Sequence, residues 1–272
     1  MKIALLQLNS GDEPAENLNA LQVSLQDALQ QRADVIVTPE VTNCVSTKRA
    51  RQAAVLFAED DDPTLTFAKS FAFEHKVWLI LGSLALKQSP PELLFVNRQF
   101  IIDPDGKIES FYDKIHMFDV ILSESEAYRE SDGYAPGSRL VTTKIDDFTF
   151  GSSICYDLRF PHLYRDLALA GSDVLLVPSA FSVPTGEAHW HTLLRARAIE
   201  TGAYVIAPAQ TGEHPGRRTY GHSLVVDPWG TVVLDAGTET GVHCVTLNIQ
   251  EVLKARQKIP SLQGTRPYTQ AS

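Results

Sequence analysis

Cysteine is scarce: Cys44, Cys155 and Cys244 are the only three in 272 residues, far apart and without a Cys-x-x-Cys pair. That excludes a disulfide framework and a zinc cluster as organising devices and fits a reducing, cytoplasmic setting. Long apolar runs are missing too, since nothing approaches the ~20 residues of a membrane span. The stretch "KIALLQL" behind Met1 is too short for a signal-peptide core and has no cleavage site. No membrane partner is expected. Basic charge is in deficit, with 24 Lys and Arg against 33 Asp and Glu and a net charge of −9. Such a chain has nothing to neutralise a row of phosphates, so nucleic acid is excluded as a partner.

What is present suits one large layered domain, residues 1–272 with a tail from about 259, at 44% hydrophobic content. Its main feature is an internal repeat. "ADVIVTPE" (Ala33–Glu40) resembles "SDVLLVPS" (Ser172–Ser179), and "FIIDPDGKI" (Phe100–Ile108) resembles "LVVDPWGTV" (Leu224–Val232), in the same order. Between them lie "VWLILGS" from Val77 and "AYVIAPA" from Ala203. Each half therefore reads helix, strand, helix, strand, strand. The spacing far exceeds the about 20 to 50 residues of solenoid repeats, so a duplicated half-domain is expected.

Leu18, Leu21, Leu25, Ala28 and Leu29 recur at helical spacing. A second helix is expected to start with Asp62 as N-cap and Pro63 in its first turn, and to turn Leu65, Ala68, Phe71 and Ala72 inward. A third follows Cys155, with Leu163, Leu167 and Ala170 apolar and Gly171 as its left-handed stop. A fourth spans about Trp190 to Glu200 and stops at Gly202. "DVIVT" and "DVLLV" are continuous apolar runs, as strands covered on both faces require. "DPDG" and "DPWG" predict hairpin turns, because proline presets φ and glycine accepts positive φ.

Cys155 stands in "GSSICYDLRFP", between a strand end and a helix start. There, backbone N–H groups and a helix N-terminus favour a thiolate, and a strand-to-helix elbow exposes a nucleophile. A thiol attacking an acyl carbon needs a proton acceptor and a partner for the oxyanion. Glu40 ends "VIVTPE", where a buried carboxylate is costly unless paired or used. Lys114 lies among aromatic and apolar neighbours in "FYDKIHMFDV". Taken singly, each also reads as inert: a core thiol, a loop glutamate, a snorkelling lysine.

Taken together and in order, "VTPE", "YDKIHMFD" and "SICYDLRFP" resemble the three signature segments of the nitrilase superfamily of carbon–nitrogen hydrolases. "PSAFSVPTGEAHWHTLLRARAIE" (Pro178–Glu200) and "YGHSLVVDPWGTVV" (Tyr220–Val233) extend the resemblance over nearly the whole chain. The resemblance implies an α/β fold, a four-layer α-β-β-α sandwich with pseudo-twofold related halves. It also implies a Glu-Lys-Cys triad at Glu40, Lys114 and Cys155, with Glu130 of "YRESDGYAPG" orienting Lys114 or the substrate. Alone, Glu130 is one more charge in the acidic stretch from Ser123 to Asp132. In the implied reaction Glu40 takes the thiol proton, Cys155 attacks a carboxamide, and Lys114 with the Tyr156 N–H holds the oxyanion. A thioester is then hydrolysed, and neither metal nor organic cofactor has a task. A homodimer or higher homo-oligomer is implied as well, with the tail from Ile259 crossing to a partner.

Within the superfamily, "YRESDGYAPG", "CYDLRFPHLYR", "SAFSVPTGEAHWH" and "AQTGEHPGRRTYGHS" look most like the branch that hydrolyses deaminated glutathione. This predicts a small amide bearing carboxylates, a 2-oxoglutaramate-type primary amide that loses ammonia. The neighbouring omega-amidase branch, acting on 2-oxoglutaramate or 2-oxosuccinamate, is similar. Arg159, Arg217 and Arg218 are candidate carboxylate partners through their two-pronged guanidinium, although 217 and 218 also read as surface arginines. Phe181 and Thr185, in a family loop, are expected to shape the pocket beside Tyr156. "VTNCVSTKRAR" (Val41–Arg51) follows the branch only at its start, which leaves that wall open. A catalytically silent binding member of the fold is the competing class, and the presence of all three triad residue types argues against it. Membrane-bound acyl transfer would need spans that are missing.

Other site designs lack support. His116, His162, His189, His191 and His222 come without the Asn- or Asp-supported motif of a Cys-His dyad. The pair in "HWH" (His189–His191) would converge on a metal only along a strand, because residues two apart on a helix diverge.

Overall fold

Side chains that alternate along the apolar strands serve two different cores, and this decides the layering. The computed structural model describes residues 1–88, 94–121 and 127–269. The first half runs β1 (Lys2–Gln7), α1 (Pro14–Gln30), β2 (Val35–Val37), α2 (Arg49–Val55), α3 (Pro63–His75), β3 (Trp78–Lys87), β4 (Phe95–Ile102) and β5 (Ile108–Asp113). A small hairpin, β6 (Asp119–Ile121) and β7 (Ala127–Arg129), leads to β8 (Thr142–Ile145). The second half runs β9 (Phe148–Gly151), α4 (Pro161–Leu169), β10 (Val174–Leu176), α5 (Val183–Thr201) and β11 (Tyr204–Ala207). A hairpin of β12 (Thr211–His214) and β13 (Arg217–Tyr220) follows. Then come β14 (Leu224–Val226), β15 (Val232–Asp235), β16 (Gly241–Thr246) and α6 (Ile249–Lys258).

Among the described residues there are two six-stranded sheets, ordered β16-β1-β2-β3-β4-β5 and β15-β14-β11-β10-β9-β8. The repeat is visible strand for strand, with β1 to β5 answering β9, β10, β11, β14 and β15. Each half begins with a strand, β1 or β9, that the helix-first reading of the repeat omits. The final strand of each repeat lies in the sheet of the other: β8 pairs antiparallel with β9, and β16 pairs antiparallel with β1. The two halves are therefore interlocked.

Ile3, Leu5, Val35, Val37, Val174, Leu176 and Ile206 face between the sheets. Their neighbours Ala4, Leu6 and Ile36 meet α1 and α3 outside the first sheet, while Leu175, Val177 and Val205 meet α4 and α5 outside the second. The result is the four-layer α-β-β-α sandwich. Asp62 caps α3 as expected, its carboxylate accepting from the Leu65 N–H at 2.9 Å. Two helices differ from expectation. α4 ends at Leu169, leaving Ala170 exposed, with Tyr164 and Ala168 buried instead. α5 begins at Val183, because Pro184 in its first turn starts the helix well before Trp190.

The two predicted turns are twins. Asp103 Oδ1 accepts from the N–H groups of Asp105 and Lys107, and Asp227 Oδ1 from those of Trp229 and Thr231. Gly106 and Gly230 hold φ of 74° and 88°. The described part of the tail lies back on its own chain, where Arg165 donates to the Leu262 carbonyl at 3.3 Å. Part of the acidic stretch, residues 123–126, and the last three residues lie outside the described residues. No helix among those described is long and apolar enough to cross a membrane.

Where the halves meet, Gly82 has no room for a side chain. A Cβ there would lie 1.9 Å from the Thr38 carbonyl oxygen and 2.5 Å from Pro178 Cβ, so both halves press on one backbone position. Gly82→Ala is expected to cost at least about 1–3 kcal/mol, the usual cost of overpacking. An unchanged urea midpoint would show that the halves are not in firm contact at this point.

Candidate active site

Glu40, Lys114 and Cys155 stand at the ends of three different strands. Glu40 follows β2 through Thr38 and Pro39, Lys114 follows β5 directly, and Cys155 follows β9 by four residues. Layering turns the ends of β2 and β9 toward the seam between the sheets, and there the three side chains meet. Lys114 Nζ lies 3.0 Å from Glu40 Oε1, and Cys155 lies near enough to both that the Glu40 and Lys114 charges act on its thiol. Glu130 joins them, accepting from Lys114 Nζ at 2.9 and 2.8 Å and from the Phe118 N–H at 2.6 Å.

Both corners are strained. Cys155 sits at φ 49°, the left-handed region that a nucleophile elbow uses, and Val41, just after Glu40, at φ 48°. A β-branched residue rarely adopts that conformation, and such strain costs about 1–3 kcal/mol per residue. Local bonds hold it: the Val41 N–H donates to Ser83 Oγ at 2.8 Å, and the Cys155 N–H to the Pro178 carbonyl at 3.0 Å. Cys155 opens a short 3₁₀ turn, Cys155–Arg159, and α4 starts only at Pro161.

Glu40 is 5% exposed and has donors on every side. Besides Lys114, Asn97 Nδ2 donates to Oε1 and the Ala180 N–H to Oε2, each at 2.8 Å. Burial works to raise this carboxyl, but the Lys114 charge and the hydrogen bonds outweigh it and hold it below the usual range. Burial likewise works against the Lys114 ammonium, yet the charges of Glu130 and Glu40 keep it protonated far above its ordinary value. For Cys155, burial and the Glu40 charge both act against ionisation, so the thiol is pushed well up. These surroundings oppose the thiolate expected from an adjoining helix start and favour a neutral thiol beside the Glu40 carboxylate.

Glu40, Lys114 and Cys155 line a cavity of about 490 Å³. Tyr156, Phe181, Thr185 and Arg217 line it, as expected from the sequence. So do Cys44, Val45, Thr47 and Arg49 of "VTNCVSTKRAR", the stretch where the family resemblance lapses. Two of the expected arginines lie elsewhere. Arg218 pairs with Glu213 at 2.7 Å on the exposed side of the β12–β13 hairpin, because alternate strand residues face opposite ways and Arg217 takes the inward position. Arg159 faces His189 at 3.4 Å and lies against the Tyr156 and Phe181 rings, bracing two walls of the cavity without lining it.

Three supporting residues were not found from the sequence. Asn97 and Gln99 are buried amides in "FVNRQFII", flanking the part-exposed Arg98 in a strand that is otherwise apolar, a break in patterning that marks them in retrospect. Asp157 is fully buried and ties the Lys114 and Cys155 corners together. It accepts from Tyr112 Oη at 2.7 Å and the His116 N–H at 3.0 Å beside Lys114, and from the Ile154 N–H at 2.9 Å beside Cys155. His116 Nδ1 also lies 2.6 Å from Asp157, so that ring serves the scaffold. Arg49 donates to the backbone carbonyls of Arg129 and Glu130 at 3.3 and 3.2 Å and so braces the loop that carries Glu130.

The sequence model of the carbon–nitrogen hydrolase family matches residues 2–257. A deaminated glutathione amidase from Synechocystis is 37% identical over 265 residues, 96% of each chain. The crystal structure of the Caenorhabditis elegans NitFhit protein superimposes with a TM-score of 0.90 at 33% identity, covering 97% of this chain and 65% of that longer one. Saccharomyces cerevisiae Nit3, described as a member of branch 10 of the nitrilase superfamily, gives 0.85 at 28% identity, covering 96% of this chain and 94% of that one.

Because the Glu40 charge opposes ionisation of Cys155, Glu40→Gln is expected to move the thiolate titration of Cys155 to lower pH. Ultraviolet thiolate absorbance, corrected with a Cys155→Ala control, measures it. A midpoint that stays put or rises would mean that the carboxylate does not face the thiol.

Proposed function

The chain belongs to the carbon–nitrogen hydrolase family and hydrolyses amides, and we propose that it does so through a Cys155 thioester, on a short 2-oxo dicarboxylic amide of the deaminated glutathione type. The single observation that carries the mechanism is the convergence of Glu40, Lys114 and Cys155 on one cavity, with Lys114 Nζ 3.0 Å from the buried Glu40 carboxylate. Cys155 Sγ attacks the amide carbon as its proton passes to Glu40. Lys114 and the Tyr156 N–H take up the oxyanion, and a donor of this kind contributes about 2.7–4 kcal/mol. As Lys114 turns toward the oxyanion, Glu40 loses part of the charge that holds its carboxyl low and becomes a better base. Collapse breaks the C–N bond, and Glu40 passes its proton to the leaving nitrogen. Water then attacks the thioester, giving one proton to Glu40, which returns it to the departing sulfur. Glu130 keeps Lys114 charged and in place.

The substrate's own chemistry sets the leaving group. Deaminated glutathione has secondary amides and no primary one, so the leaving group is the amine of cysteinylglycine and the acid left behind is 2-oxoglutarate. Ammonia, the product expected from a primary amide, would come from the smaller omega-amides. The cavity of about 490 Å³ supports the larger substrate, being of ordinary size for a ligand site. Arg217 is the proposed carboxylate partner. One of its terminal nitrogens is bound to the Ala180 carbonyl, while its buried Nε has no partner. A buried guanidinium nitrogen left unpaired is costly, and a substrate carboxylate would relieve it.

Cys155→Ala is expected to abolish amide hydrolysis, and Glu40→Gln to accumulate no acyl-enzyme; full activity in either would remove the assigned role. Arg217→Ala should raise KM for carboxylate-bearing amides about 10- to 150-fold with kcat little changed, the equivalent of about 1.5–3 kcal/mol for a charged hydrogen bond. Comparing kcat/KM for deaminated glutathione and 2-oxoglutaramate tests the substrate assignment, which fails if the smaller amide is strongly preferred.

A further inference from the structure

On the outer side of the second half, His191, His222 and Asp235 converge from three elements. His191 lies on α5, His222 between β13 and β14, and Asp235 ends β15. His191 Nε2 is 2.9 Å from Asp235 Oδ2, and His222 Nδ1 is 2.8 Å from Asp235 Oδ1. Each ring nitrogen thus faces a different carboxylate oxygen, and one donor atom from each of the three residues lies within 4.8 Å of the other two. The "HWH" pair does diverge, as its helical setting requires: His189 faces Arg159, and only His191 takes part here.

We propose that His191, His222 and Asp235 bind a divalent first-row transition cation of the zinc, nickel or cobalt class. Two imidazoles and one carboxylate form a donor set such ions accept, with remaining positions open to water. With metal–ligand bonds of about 2.1 Å, neighbouring donors in a six-coordinate sphere stand about 3.0 Å apart, so a two-pronged Asp235 with one nitrogen beside each oxygen fits with little movement. Binding involves no redox step. A ring nitrogen that carries a proton toward Asp235 moves it to the other ring nitrogen, or to solvent if the ring is cationic, and its lone pair then bonds the ion.

The donors are held in advance by their surroundings. His222 sits at φ 53°, unusual for a residue other than glycine. Its N–H donates to the Gly237 carbonyl at 2.7 Å, and its carbonyl accepts from Trp190 Nε1 at 2.8 Å, so the neighbour of His191 fixes the backbone of His222. Asp235 Oδ1 accepts from the Gly237 N–H at 2.9 Å, and the Tyr220 ring stacks on His222 at 4.4 Å. Rigid elements that place donors without local freedom are what a metal site needs. A bound ion would tie α5 to the edge strand β15 and to the end of β13, the strand that begins at Arg217.

Isothermal titration with zinc and cobalt ions tests this on Cys155→Ala protein, in which the active-site thiol cannot compete. One equivalent is expected to bind, with a change in the visible spectrum of cobalt. Adding His191→Ala or Asp235→Asn should weaken that equivalent by more than the about 10- to 100-fold typical for loss of a mere outer-shell partner. Thermal unfolding with zinc should show a rise in Tm that both variants lose. Absence of stoichiometric binding, or binding that neither variant weakens, would overturn the site. Neither result bears on the amidase reading, since the ion takes no part in that reaction.

Discussion

The burial of one carboxylate at the seam of two interlocked halves constrains the rest of the molecule. An ionised glutamate at 5% exposure is tolerable only if its oxygens are satisfied, and no single segment of this chain can supply the donors. Asn97 and Lys114 come from the first half and the Ala180 N–H from the second. Gln210 of the second half also donates to the Glu40 carbonyl, at 3.1 Å. Folding the seam correctly and solvating Glu40 from within the protein are thus one requirement.

The same arrangement sets the chemistry. Lys114 stands between two carboxylates and stays charged, and its charge keeps Glu40 ionised. Burial and the Glu40 charge in turn oppose ionisation of Cys155. The strained φ of Cys155 and Val41 belongs to this design, because both corners must turn side chains into the seam against local preference.

Much of this was legible before any coordinates. The repeat announced duplicated halves, since strands buried on both faces must be apolar throughout, and the twin "DPDG" and "DPWG" turns reproduce the same carboxylate-to-backbone bonds. Less legible were elements without a strong period. β1, β9 and β16 are part-apolar segments whose role depends on which distant strand they join, and a strand of the other half cannot be inferred from local pattern. The glycine stops at Gly171 and Gly202 hold positive φ as expected, but the start of α5 was not legible, because Pro184 in the first turn opens the helix at Val183, well before Trp190.

The sequence by itself determined the layers and marked Glu40, Lys114 and Cys155 as candidates, because periodicity and residue chemistry are local properties that survive any placement in space. The tertiary structure decided which charges meet. Arg217 reaches the cavity while its neighbour Arg218 does not, through strand alternation within a hairpin. Asp157 binds both the Lys114 and the Cys155 corners, and His191 meets His222 and Asp235 across three elements. Such convergence depends on distances between residues remote in sequence, and those distances exist only once the two sheets have packed.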